Sequence, residues 1–424
     1  MSRPRAAIVV TGSELVRGER TDLNGPFLAR EALRLGLEPA RITIVGDAPE
    51  ALEAALRDGL QADACLVSGG LGPTHDDRTV ETAARAAGVG LFVDAGLERE
   101  IGDVSRAAAE RLRRPYADFA PGVTKQATRP EGSLSLGLAG TAPGLVLPAP
   151  NGCVAVILPG PPAELQRLWP RALETEPVRA LLARTRPPGR RVLRLFGVSE
   201  SAVARALAEA GGDGSGVEAT ICARDFEIHV DLVVEPGAEA RADELEGALA
   251  GSLERWLYAR DERGIEEHVL ALCRARGLTL ATAESCTGGL VAARLTSVPG
   301  SSDVVLGGVV SYANEVKTKE LGVPDELLAA HGAVSAEVAA AMARGARERL
   351  GADVAVAVTG IAGPDGGTPE KPVGLVHLHA EGPDGGLGRE FSFPGDRGSI
   401  RARSVVGALH LVRTLLTRSP DEVV

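Results

Sequence analysis

The chain repeats one local order, in which a short apolar strand runs into a glycine- or hydroxyl-rich loop and an amphipathic helix follows. In residues 1–170 the predicted strands are Ala6–Val10, Ile42–Val45, Ala64–Val67 and Val154–Leu158. Leu52, Leu56 and Leu60 recur every fourth residue between them, as on one face of a helix. Strands that alternate with helices pair into a parallel sheet with helices on both faces, so this part is predicted to be a three-layer α/β domain.

The length of the chain requires more than one hydrophobic core. A single core stops growing at about 250–300 residues, and this chain has 424. We expect an α/β domain at 1–170, a small α+β domain at 171–260, a second α/β domain at 261–418 and a frayed tail at 419–424. Residues 113–150 are rich in Pro and Gly with weak periodicity, which predicts irregular loops with short strands.

The second and third parts have their own strand and helix patterns. In the second part a helix is predicted at Glu200–Ala210 and a half-buried strand at Asp225–Val234. In the third part the predicted strands are Leu278–Ala283, Val304–Val310, Ala352–Val358, Val373–His379 and Arg389–Phe393. Val405, Leu409 and Val412 contribute to the apolar stripe of a last helix.

The charge and cysteine content exclude several classes of protein. A net charge of −11 disfavours nucleic-acid binding, because neutralising phosphates needs clustered Lys and Arg. No apolar run reaches the roughly 18–20 residues that cross a bilayer, and the first residues do not resemble a cleavable signal peptide. Five cysteines without CxxC spacing are typical of reduced thiols in a cytosol. We therefore predict a soluble cytoplasmic protein with small-molecule partners and no direct contact with membrane or nucleic acid.

Lysine is scarce in this sequence. The 46 basic residues include four lysines, namely Lys125, Lys317, Lys319 and Lys371. An amine can lose its proton in a suitable environment, whereas a guanidinium cannot. A chain that otherwise uses arginine can retain lysine where such an amine is needed, although an exposed lysine on a helix is the commoner situation. A functional role for Lys317 or Lys319 therefore needs support from a second observation.

The segment LATAESCTGGLVAARL places a predicted strand directly before a helix, with small and hydroxyl residues at the junction. Backbone N–H groups and the positive end of the helix dipole point outward there, so the junction can hold an anion or an oxyanion. The candidates at this junction are Ser285, Thr287, Gly288 and Gly289. The alternative is that Ser285 or Thr287 only caps the helix, which is a frequent role for both residue types.

A second segment, SYANEVK, follows another predicted strand and contains two scarce ionisable residues. Tyr312 is one of three tyrosines and Lys317 one of four lysines. A hydrolytic site of the Ser/Lys/Tyr type needs a nucleophile, an amine that accepts its proton and a phenol that relays it. Ser285, Lys317 and Tyr312 would supply these three groups. Asn314 lies between the last two and is a candidate for substrate binding.

Two later segments carry candidate substrate-binding residues. TGIAGPDGG ends a predicted strand in glycines, whose backbone N–H groups can approach a phosphate closely. GDRGSIR places two arginines four residues apart at a helix start, where both can face one phosphate. A surface turn and solvated arginines are the alternatives. The candidates are Thr359, Gly360, Gly363, Gly366, Gly367, Arg397 and Arg401.

The segments AESCTGG, SYANEVK, TGIAGPDGG and GDRGSIR, in this order, closely resemble the C-terminal domain of the competence/damage-inducible CinA family, which also occurs alone as the bacterial nicotinamide-nucleotide amidase. The resemblance implies hydrolysis of nicotinamide mononucleotide to nicotinic acid mononucleotide and ammonia, without a cofactor. It places the family's nucleophile on Ser285, its tyrosine on Tyr312 and its lysine on Lys317. Cys286 is the rival nucleophile, but a thiol usually needs a histidine partner and none of the four segments contains one.

The N-terminal part has a second candidate site in TGSELVRGERTDLNGPFLA and SGGLGPTHDDRTVETAA. A predicted strand opens there into a glycine-rich loop that can cradle a pyrophosphate. The candidate cradle residues are Gly69, Gly70, Gly72 and Thr74. Carboxylates at this loop and beyond other strand ends suit Mg²⁺ or a similar divalent cation, although a solvated acidic helix start is the alternative. The candidate metal ligands are Asp76, Asp77, Glu14 and Asp47.

These two segments resemble molybdopterin-binding proteins of the MoaB/MogA type and form the second signature of the CinA family. The resemblance carries two expectations for this domain, a metal-dependent ADP-ribose pyrophosphatase or a molybdopterin-type binding fold. The segment LPGPPAEL at Leu158–Leu165 matches the motif that closes the domain in the family. We expect it at the edge of the same pocket.

The middle part contains RVLRLFGVSESAVARAL, which resembles the small KH-like insert of CinA proteins. RNA binding is not implied, because the only GxxG candidate, Gly211–Gly214, contains Asp213. We expect a spacer or dimerisation role and a homodimer. The whole chain is thus expected to be a bifunctional hydrolase acting on pyridine nucleotides and ADP-ribose. The competing expectation is a molybdopterin-type binding protein or a competence and recombination scaffold without N-terminal catalysis.

Overall fold

The chain divides into two compact units, Met1–Gly189 with Glu235–Gly237 and Arg190–Val234 with Ala238–Val424. The computed structural model describes residues 3–418, so the tail predicted at 419–424 lies outside the described residues. The domain boundary expected at 170 falls inside a helix of the first unit, Pro162–Leu173. The small domain expected at 171–260 contributes its residues from Arg190 onward chiefly to the second unit, together with the C-terminal part.

The first unit alternates strands and helices, and the four strands predicted from its sequence are confirmed. Its strands are β1 (Arg5–Thr11), β2 (Glu38–Val45), β3 (Ala64–Ser68), β4 (Leu91–Val93), β5 (Thr128–Pro130), β6 (Leu134–Leu138), β7 (Pro143–Pro148) and β8 (Val154–Leu158). Its helices are α1 (Ser13–Val16), α2 (Asn24–Arg34), α3 (Pro49–Gly59), α4 (Thr79–Ala87), α5 (Ala95–Leu112), α6 (Ala120–Ala127), α7 (Pro162–Leu173) and α8 (Glu176–Leu182), with a 3-10 turn at Tyr116–Asp118.

The main sheet of the first unit has the order β2-β1-β3-β8-β7-β6. β1, β2, β3 and β8 are parallel, and β7 and β6 add to them in antiparallel fashion. Successive strand residues point to opposite faces, so Ile8 packs in one buried cluster with Leu28 while Val9 packs in another with Leu52. Helices therefore cover both faces of the sheet, which confirms the predicted three-layer arrangement.

The segment 113–150 is more regular than its Pro and Gly content predicts. It contains the 3-10 turn, α6, β5, β6 and β7. Pro121 lies in the first turn of α6, where the N–H that proline lacks would have no helical partner. A residue that suggests a loop in the sequence therefore begins a helix in the structure.

The second unit contains two further sheets. Its strands are β9 (Gly189–Leu195), β10 (Val217–Arg224), β11 (Glu227–Val234), β12 (Leu257–Ala259), β13 (Leu280–Glu284), β14 (Val305–Val310), β15 (Val354–Gly360), β16 (Leu375–Gly382) and β17 (Gly385–Ser392). Its helices are α9 (Glu200–Glu209), α10 (Glu239–Ser252), α11 (Ile265–Arg276), α12 (Leu290–Thr296), α13 (Asn314–Leu321), α14 (Asp325–His331), α15 (Ala336–Leu350) and α16 (Arg397–Thr417), with a 3-10 turn at Ser301–Asp303. None of the helices described in either unit is long and apolar enough to cross a bilayer.

The smaller sheet has the order β10-β11-β9-β12, and α9 and α10 pack on it, which gives an α+β arrangement. The larger sheet has the order β14-β13-β15-β16-β17. Its first three strands are parallel, and β16 and β17 are antiparallel to their neighbours. One buried cluster contains Ile265 and Val405 from α11 and α16, and another contains Val338 from α15, so helices cover both faces.

Three neighbouring parallel strands of the larger sheet, β14, β13 and β15, end at the same edge. The Ser285 N–H donates to the Val358 carbonyl at 2.9 Å, and the Ser311 N–H donates to the Glu284 carbonyl at 2.8 Å. Ligands of open α/β sheets bind at the carboxyl ends of parallel strands. The fold therefore brings the AESCTGG, SYANEVK and TGIAGPDGG segments to the edge where a ligand is expected.

Candidate active sites

The turn after β13 presents Ser285. Gly288 and Gly289 have φ angles of 61° and 94°, in a region that favours glycine. The Gly288 N–H donates to the Ser285 carbonyl at 3.1 Å and closes the turn. A Cβ on Gly289 would lie 3.4 Å from the Val310 side chain of the neighbouring strand. The two glycines thus allow a sharp turn that leaves Ser285 half-buried at the end of its strand.

The start of α12, which the sequence predicts as an anion site, is occupied by a side chain of the protein itself. Glu284 Oε2 accepts hydrogen bonds from the N–H groups of Gly289 and Val291, each at 3.0 Å, and its Oε1 accepts one from Ala292 at 2.9 Å. Glu284 is 1% exposed, so a buried carboxylate caps α12. The N-terminus of α12 is therefore not available to a substrate anion, which corrects the prediction.

Lys317 lies in the first turns of α13 with a buried side chain. Its Nζ donates to the Ser311 carbonyl at 2.7 Å and to the Tyr312 carbonyl at 3.4 Å, and it lies 3.3 Å from Ser285 Oγ. The residue is 1% exposed. Burial lowers the pKa of Lys317, because the ammonium form loses its hydration. The structure thus brings the predicted nucleophile and the predicted base into contact.

Cys286, the rival nucleophile, is buried under the same turn with 5% of its surface exposed. Burial raises the pKa of the Cys286 thiol to about 11. Because the thiolate is the nucleophilic form, this side chain is a weak nucleophile near neutral pH. The environment of the two residues favours Ser285.

The Tyr312 phenol is held by an arginine rather than by the Ser285–Lys317 pair. Arg397 Nη2 donates to the phenol oxygen at 2.7 Å, and Arg397 Nη1 donates to the Gly363 carbonyl at 2.8 Å. Tyr312 is 60% exposed. Over residues 3–418 no hydrogen bond joins the phenol to Ser285 or Lys317. The expected relay is therefore not assembled within the protein, and it is the backbone carbonyl of Tyr312 that contacts Lys317.

The two arginines of the GDRGSIR segment both reach the site. Asp396 caps α16 by accepting from the Ser399 N–H at 2.7 Å, which fixes the start of the helix. Arg397 joins the Tyr312 and Gly363 loops, and Arg401 Nη2 donates to the Thr287 carbonyl at 2.8 Å. The Nε of Arg401 is buried and makes no hydrogen bond with any described residue. Arginines four residues apart thus bind the loops of three motifs together.

The remaining predicted substrate-binding residues of this site differ in their surroundings: some are engaged within the protein and others are exposed. The Thr359 hydroxyl donates to the Ala333 carbonyl at 2.7 Å, so it is used within the protein. A Cβ on Gly360 would lie 2.7 Å from the Val376 side chain, and one on Gly367 would lie 2.9 Å from the Val373 nitrogen. Packing alone therefore requires glycine at these two positions. Asn314, at the start of α13, and Gly366, in the loop after β15, are exposed.

The glycine loop of the first unit lies against β8, as expected for the LPGPPAEL segment. The Gly69 N–H donates to the Leu158 carbonyl at 3.0 Å. The Asn24 Nδ2 donates to Ser68 Oγ at 2.9 Å and to the Gly160 carbonyl at 2.7 Å. Asn24 is buried and joins the ends of two strands. It lies in the segment TGSELVRGERTDLNGPFLA, but an asparagine near a helix start carries no sequence signal that separates this role from capping.

The backbone of the loop is shaped by two glycines and leaves donors free. A Cβ on Gly69 would lie 2.4 Å from the Thr11 carbonyl oxygen, and one on Gly70 would lie 2.2 Å from Thr79 Oγ1, so no side chain fits at either position. Within the described part of the chain, no hydrogen bond is formed by the N–H groups of residues 70–72. Free N–H groups in a glycine turn can bind phosphate oxygens.

The four predicted metal ligands do not gather in one place. The Thr74 N–H donates to Asp77 Oδ2 at 2.9 Å, and the Thr74 hydroxyl contacts both Asp77 and Asp76. Asp47 instead accepts from the Ser13 N–H at 3.0 Å and from the Ser13 hydroxyl at 2.6 Å. In residues 3–418 no group of three or more His, Cys, Asp or Glu side chains could hold a metal ion. A preformed site built from Glu14 and the three aspartates is therefore not present.

A cavity of about 160 Å³ opens beside the glycine loop. Gly70, Gly72 and Asp77, which the sequence predicts as site residues, line it together with Lys125 and Gln126 from α6. Lys125 is one of the four lysines of the sequence. However, the other cavity residues lie far from it along the chain, so only the fold shows that they are neighbours. Lys125 and Gln126 are the residues of this site that the sequence reasoning missed.

Comparison with known protein families gives two matches. Residues 262–416 match the family described as CinA C-terminal domain. Residues 7–177 match the family described as probable molybdopterin binding domain. The two matches cover the two candidate sites, each on its own part of the chain.

Whole-length relatives are found as well. A CinA-like protein of Mycolicibacterium gilvum is 46% identical over 424 residues, covering 97% of this chain and 99% of that protein. A CinA-like protein of Mycobacterium tuberculosis is 44% identical over 426 residues, covering 98% of both. Among solved structures, a competence/damage inducible protein from Agrobacterium tumefaciens is 46% identical, covers 36% of this chain and 94% of its own, and has a TM-score of 0.35.

Proposed function

The chain belongs to the CinA family, and we propose that its C-terminal site hydrolyses the carboxamide of nicotinamide mononucleotide. The products are nicotinic acid mononucleotide and ammonia. The observation that carries the proposal is the buried amino group of Lys317 at 3.3 Å from Ser285 Oγ. A serine is a weak nucleophile until a neighbouring base takes its proton, and Lys317 is a base whose pKa burial lowers.

In the first step Ser285 Oγ attacks the amide carbon, and its proton passes to the neutral amino group of Lys317. The Ser311 and Tyr312 carbonyls accept hydrogen bonds from Nζ at 2.7 and 3.4 Å, which orient the amine toward Ser285. The lone pair of the neutral amine is then free to receive the serine proton.

The negative charge that develops on the amide oxygen needs hydrogen-bond donors. The Gly288 N–H is used by the Ser285 carbonyl, and Glu284 uses the N–H of Gly289. This leaves the N–H groups of Cys286 and Thr287, which donate to no oxygen atom of the described residues. One such donor is worth about 3–4 kcal/mol in the transition state. We therefore expect the N–H groups of Cys286 and Thr287, and not those of the whole turn, to bind the oxyanion.

Collapse of the tetrahedral intermediate breaks the C–N bond. Lys317 carries the serine proton at this stage and gives it to the leaving nitrogen, which departs as ammonia and leaves the amine neutral again. Arg397 donates to the Tyr312 oxygen, so the phenol hydrogen can donate to a group of the substrate. Water then attacks the acyl-serine while Lys317 accepts its proton. As the C–Oγ bond breaks, Lys317 returns this proton to Ser285 Oγ and the carboxylate product is released.

The nucleotide part of the substrate is assigned to the arginine side of the site. Arg401 has a buried Nε without an acceptor and lies beside the Thr287 carbonyl. Arginine binds phosphate through several donors held in a fixed plane. We therefore expect the phosphate of the mononucleotide near Arg397 and Arg401, two residues of the first turns of α16 whose side chains donate to neighbouring loops of the site.

The deamidase proposal is tested by ammonia release and product identification with nicotinamide mononucleotide. Ser285→Ala is expected to abolish turnover, while Ser297→Ala, an exposed serine at the end of α12, is expected to leave it unchanged. Nicotinamide riboside, which lacks the phosphate, should be a poorer substrate. Wild-type protein without turnover, or full turnover in Ser285→Ala, would refute the assignment.

We also propose that the N-terminal unit cleaves the diphosphate of ADP-ribose. The supporting observation is the cavity of about 160 Å³ that joins the glycine loop to Asp77. The free N–H groups of residues 70–72 fit phosphate oxygens. Asp77 lines this cavity, and Asp76 beside it contacts the same Thr74 hydroxyl. Two carboxylates with substrate phosphates suit Mg²⁺, which keeps few protein ligands. A divalent cation held there would polarise the phosphorus for attack by water.

The pyrophosphatase proposal is tested by following AMP and ribose 5-phosphate released from ADP-ribose. Activity should require added divalent cation and should be lost in Asp77→Asn. Asp118→Asn, an exposed aspartate of the same unit, is the matched control. Binding of a nucleotide or pterin without any cleavage would instead favour a molybdopterin-type binding domain, and the absence of both would favour a scaffold role.

A further inference from the structure

One basic side chain lines the cavity of the first unit, and no motif assigns it a role. Lys125 on α6 lies at this cavity with Gly70, Gly72 and Asp77. Its Nζ donates to the Thr74 carbonyl. In the described residues it forms no salt bridge with any Asp or Glu, although its charge is a minor cause of the lowered pKa of Asp76, after the hydrogen bond from the Thr74 hydroxyl. It is also the only lysine of the sequence before residue 317.

The carboxylates around the cavity would repel a diphosphate, so its binding requires a positive charge on the cavity wall. Asp77 and Glu81 both line it, and a diphosphate that enters meets these two negative charges. Free N–H groups of the loop are partial charges and offset them only in part. An amine fixed at the cavity wall supplies a full positive charge that is present before any substrate or divalent cation binds.

We propose that Lys125 is a substrate-binding residue that donates hydrogen bonds to the diphosphate, with the N–H groups of residues 70–72 on the same group. The inference rests on the diphosphate hydrolysis proposed for this unit. A lysine ammonium has three N–H donors and no acceptor. Nζ can therefore keep its hydrogen bond to the Thr74 carbonyl and still present two hydrogens to phosphate oxygens.

Contacts between α6 and the glycine loop fix the position of the Lys125 amine relative to that loop. The buried Gln126 amide donates to the Leu71 carbonyl at 3.1 Å. A Cβ on Gly122 would lie 2.3 Å from the Pro73 side chain, so the helix backbone lies directly against the loop. Gln126 thus holds the same loop from the same helix without carrying a charge. This neighbour makes it possible to separate a structural role of Lys125 from a binding role.

The test is calorimetric titration of the full-length protein with inorganic pyrophosphate and with ADP-ribose, at several salt concentrations, together with thermal unfolding. Lys125→Met is expected to weaken both affinities roughly 10- to 100-fold, the usual effect of losing hydrogen bonds to a charged group. Lys125→Arg should restore part of the affinity and its salt dependence. Arg111→Met removes the same charge from an exposed site and should bind like wild type.

The outcomes separate binding from structure. Gln126→Leu should lower the unfolding temperature, whereas Lys125→Met should lower affinity with little change in unfolding temperature. Unchanged affinity in Lys125→Met would overturn the inference even if ADP-ribose is cleaved. Pyrophosphate binding that depends on Lys125, in a protein that does not cleave ADP-ribose, would support the inference and refute the pyrophosphatase proposal. If wild type binds neither ligand, both are overturned.

Discussion

The Nζ atom of Lys317 lies 3.3 Å from the Oγ atom of Ser285, although the two residues follow different strands. The contact depends on the parallel pairing of β13 with β14, which brings the ends of the two strands side by side. Nζ has only carbonyl and hydroxyl oxygens as hydrogen-bond partners in the described structure. An amine in such surroundings is suited to release its proton and act as a base.

Replacing Lys317 by methionine should remove the base and retain most of the apolar packing. We expect kcat/KM for nicotinamide mononucleotide to fall about 10²–10⁴-fold, the usual contribution of a general base. Lys317→Arg should be as inactive, because a guanidinium does not give up its proton. Lys319→Met is the matched control, since Lys319 is exposed on the same helix. Equal activities of the two methionine variants would contradict the role of Lys317.

The pH dependence of the deamidase should report the same group. Burial lowers the pKa of Lys317, and only the neutral amine can take the serine proton. Activity should therefore rise with pH to a plateau, with a midpoint below about 10.4, the usual pKa of lysine. The measurement is kcat/KM from acid to alkaline pH in wild type. A midpoint at or above the usual lysine value would argue against a desolvated base.

Cys286 should be dispensable for the chemistry. Because burial raises its pKa to about 11, little thiolate exists at pH 7. Cys286→Ala should keep activity within about an order of magnitude of wild type and cost on the order of 1 kcal/mol of stability through the lost packing. Turnover and urea unfolding of this variant check both expectations. A loss of turnover as complete as in Ser285→Ala, in a folded protein, would make Cys286 the nucleophile.

Glu284 should stabilise the serine turn through its cap on α12. Glu284→Gln replaces a buried carboxylate that accepts three N–H bonds by an amide that turns one acceptor into a donor. Hydrogen bonds to charged groups contribute about 1.5–3 kcal/mol each, so a loss of roughly 2–3 kcal/mol is expected in urea unfolding. The exposed Glu348 provides the control, and Glu348→Gln should change stability by less than about 0.5 kcal/mol. Similar stabilities of the two variants would show that the cap contributes little.

Much of this architecture is predictable because it follows from local patterns. Apolar runs such as Val154–Leu158 predict the strands, and the scarcity of lysine together with the motif order identifies Lys317 and Ser285. The orientation of side chains is not local. Glu284 turns back onto a helix that begins after the glycine turn, and the Tyr312 phenol turns to Arg397.

Non-local packing also explains why the sequence does not predict the residues that line the cavity of the first unit. Asp47 and Asp77 both follow strand ends, but Asp47 is bonded to Ser13 while Asp77 lines the cavity. Lys125 reaches that cavity from α6, a helix with a proline in its first turn, in a segment whose sequence predicts irregular loops. Such placements depend on how distant segments pack, which neither periodicity nor composition contains.

A buried acid–base pair in the second unit offers a separate prediction. Glu227 Oε1 lies 2.6 Å from His410 Nε2, and Glu227 Oε2 accepts the Tyr258 hydroxyl at 2.7 Å. Burial lowers the pKa of His410 to about 4, although the bond to Glu227 acts in the opposite direction. The ring is therefore neutral at pH 7 and donates through Nε2, in agreement with a buried Nδ1 that finds no partner among the described residues.

Acid should destabilise the second unit through this histidine before most carboxylates titrate. In the unfolded chain a histidine binds its proton below about pH 6.5, but His410 in the fold does so only below about 4. Between these values the unfolded state binds more protons, so stability falls as the pH falls.

The variant His410→Phe tests this role. It keeps a ring to stack on Phe196 but removes the donor to Glu227, and losing a hydrogen bond to a charged group should cost about 1.5–3 kcal/mol at pH 7. Thermal unfolding from pH 7.5 to 4.5 should then show a shallower dependence in His410→Phe than in wild type and in the control His331→Phe, whose histidine is exposed. Parallel curves for all three proteins would mean that His410 does not set the acid response.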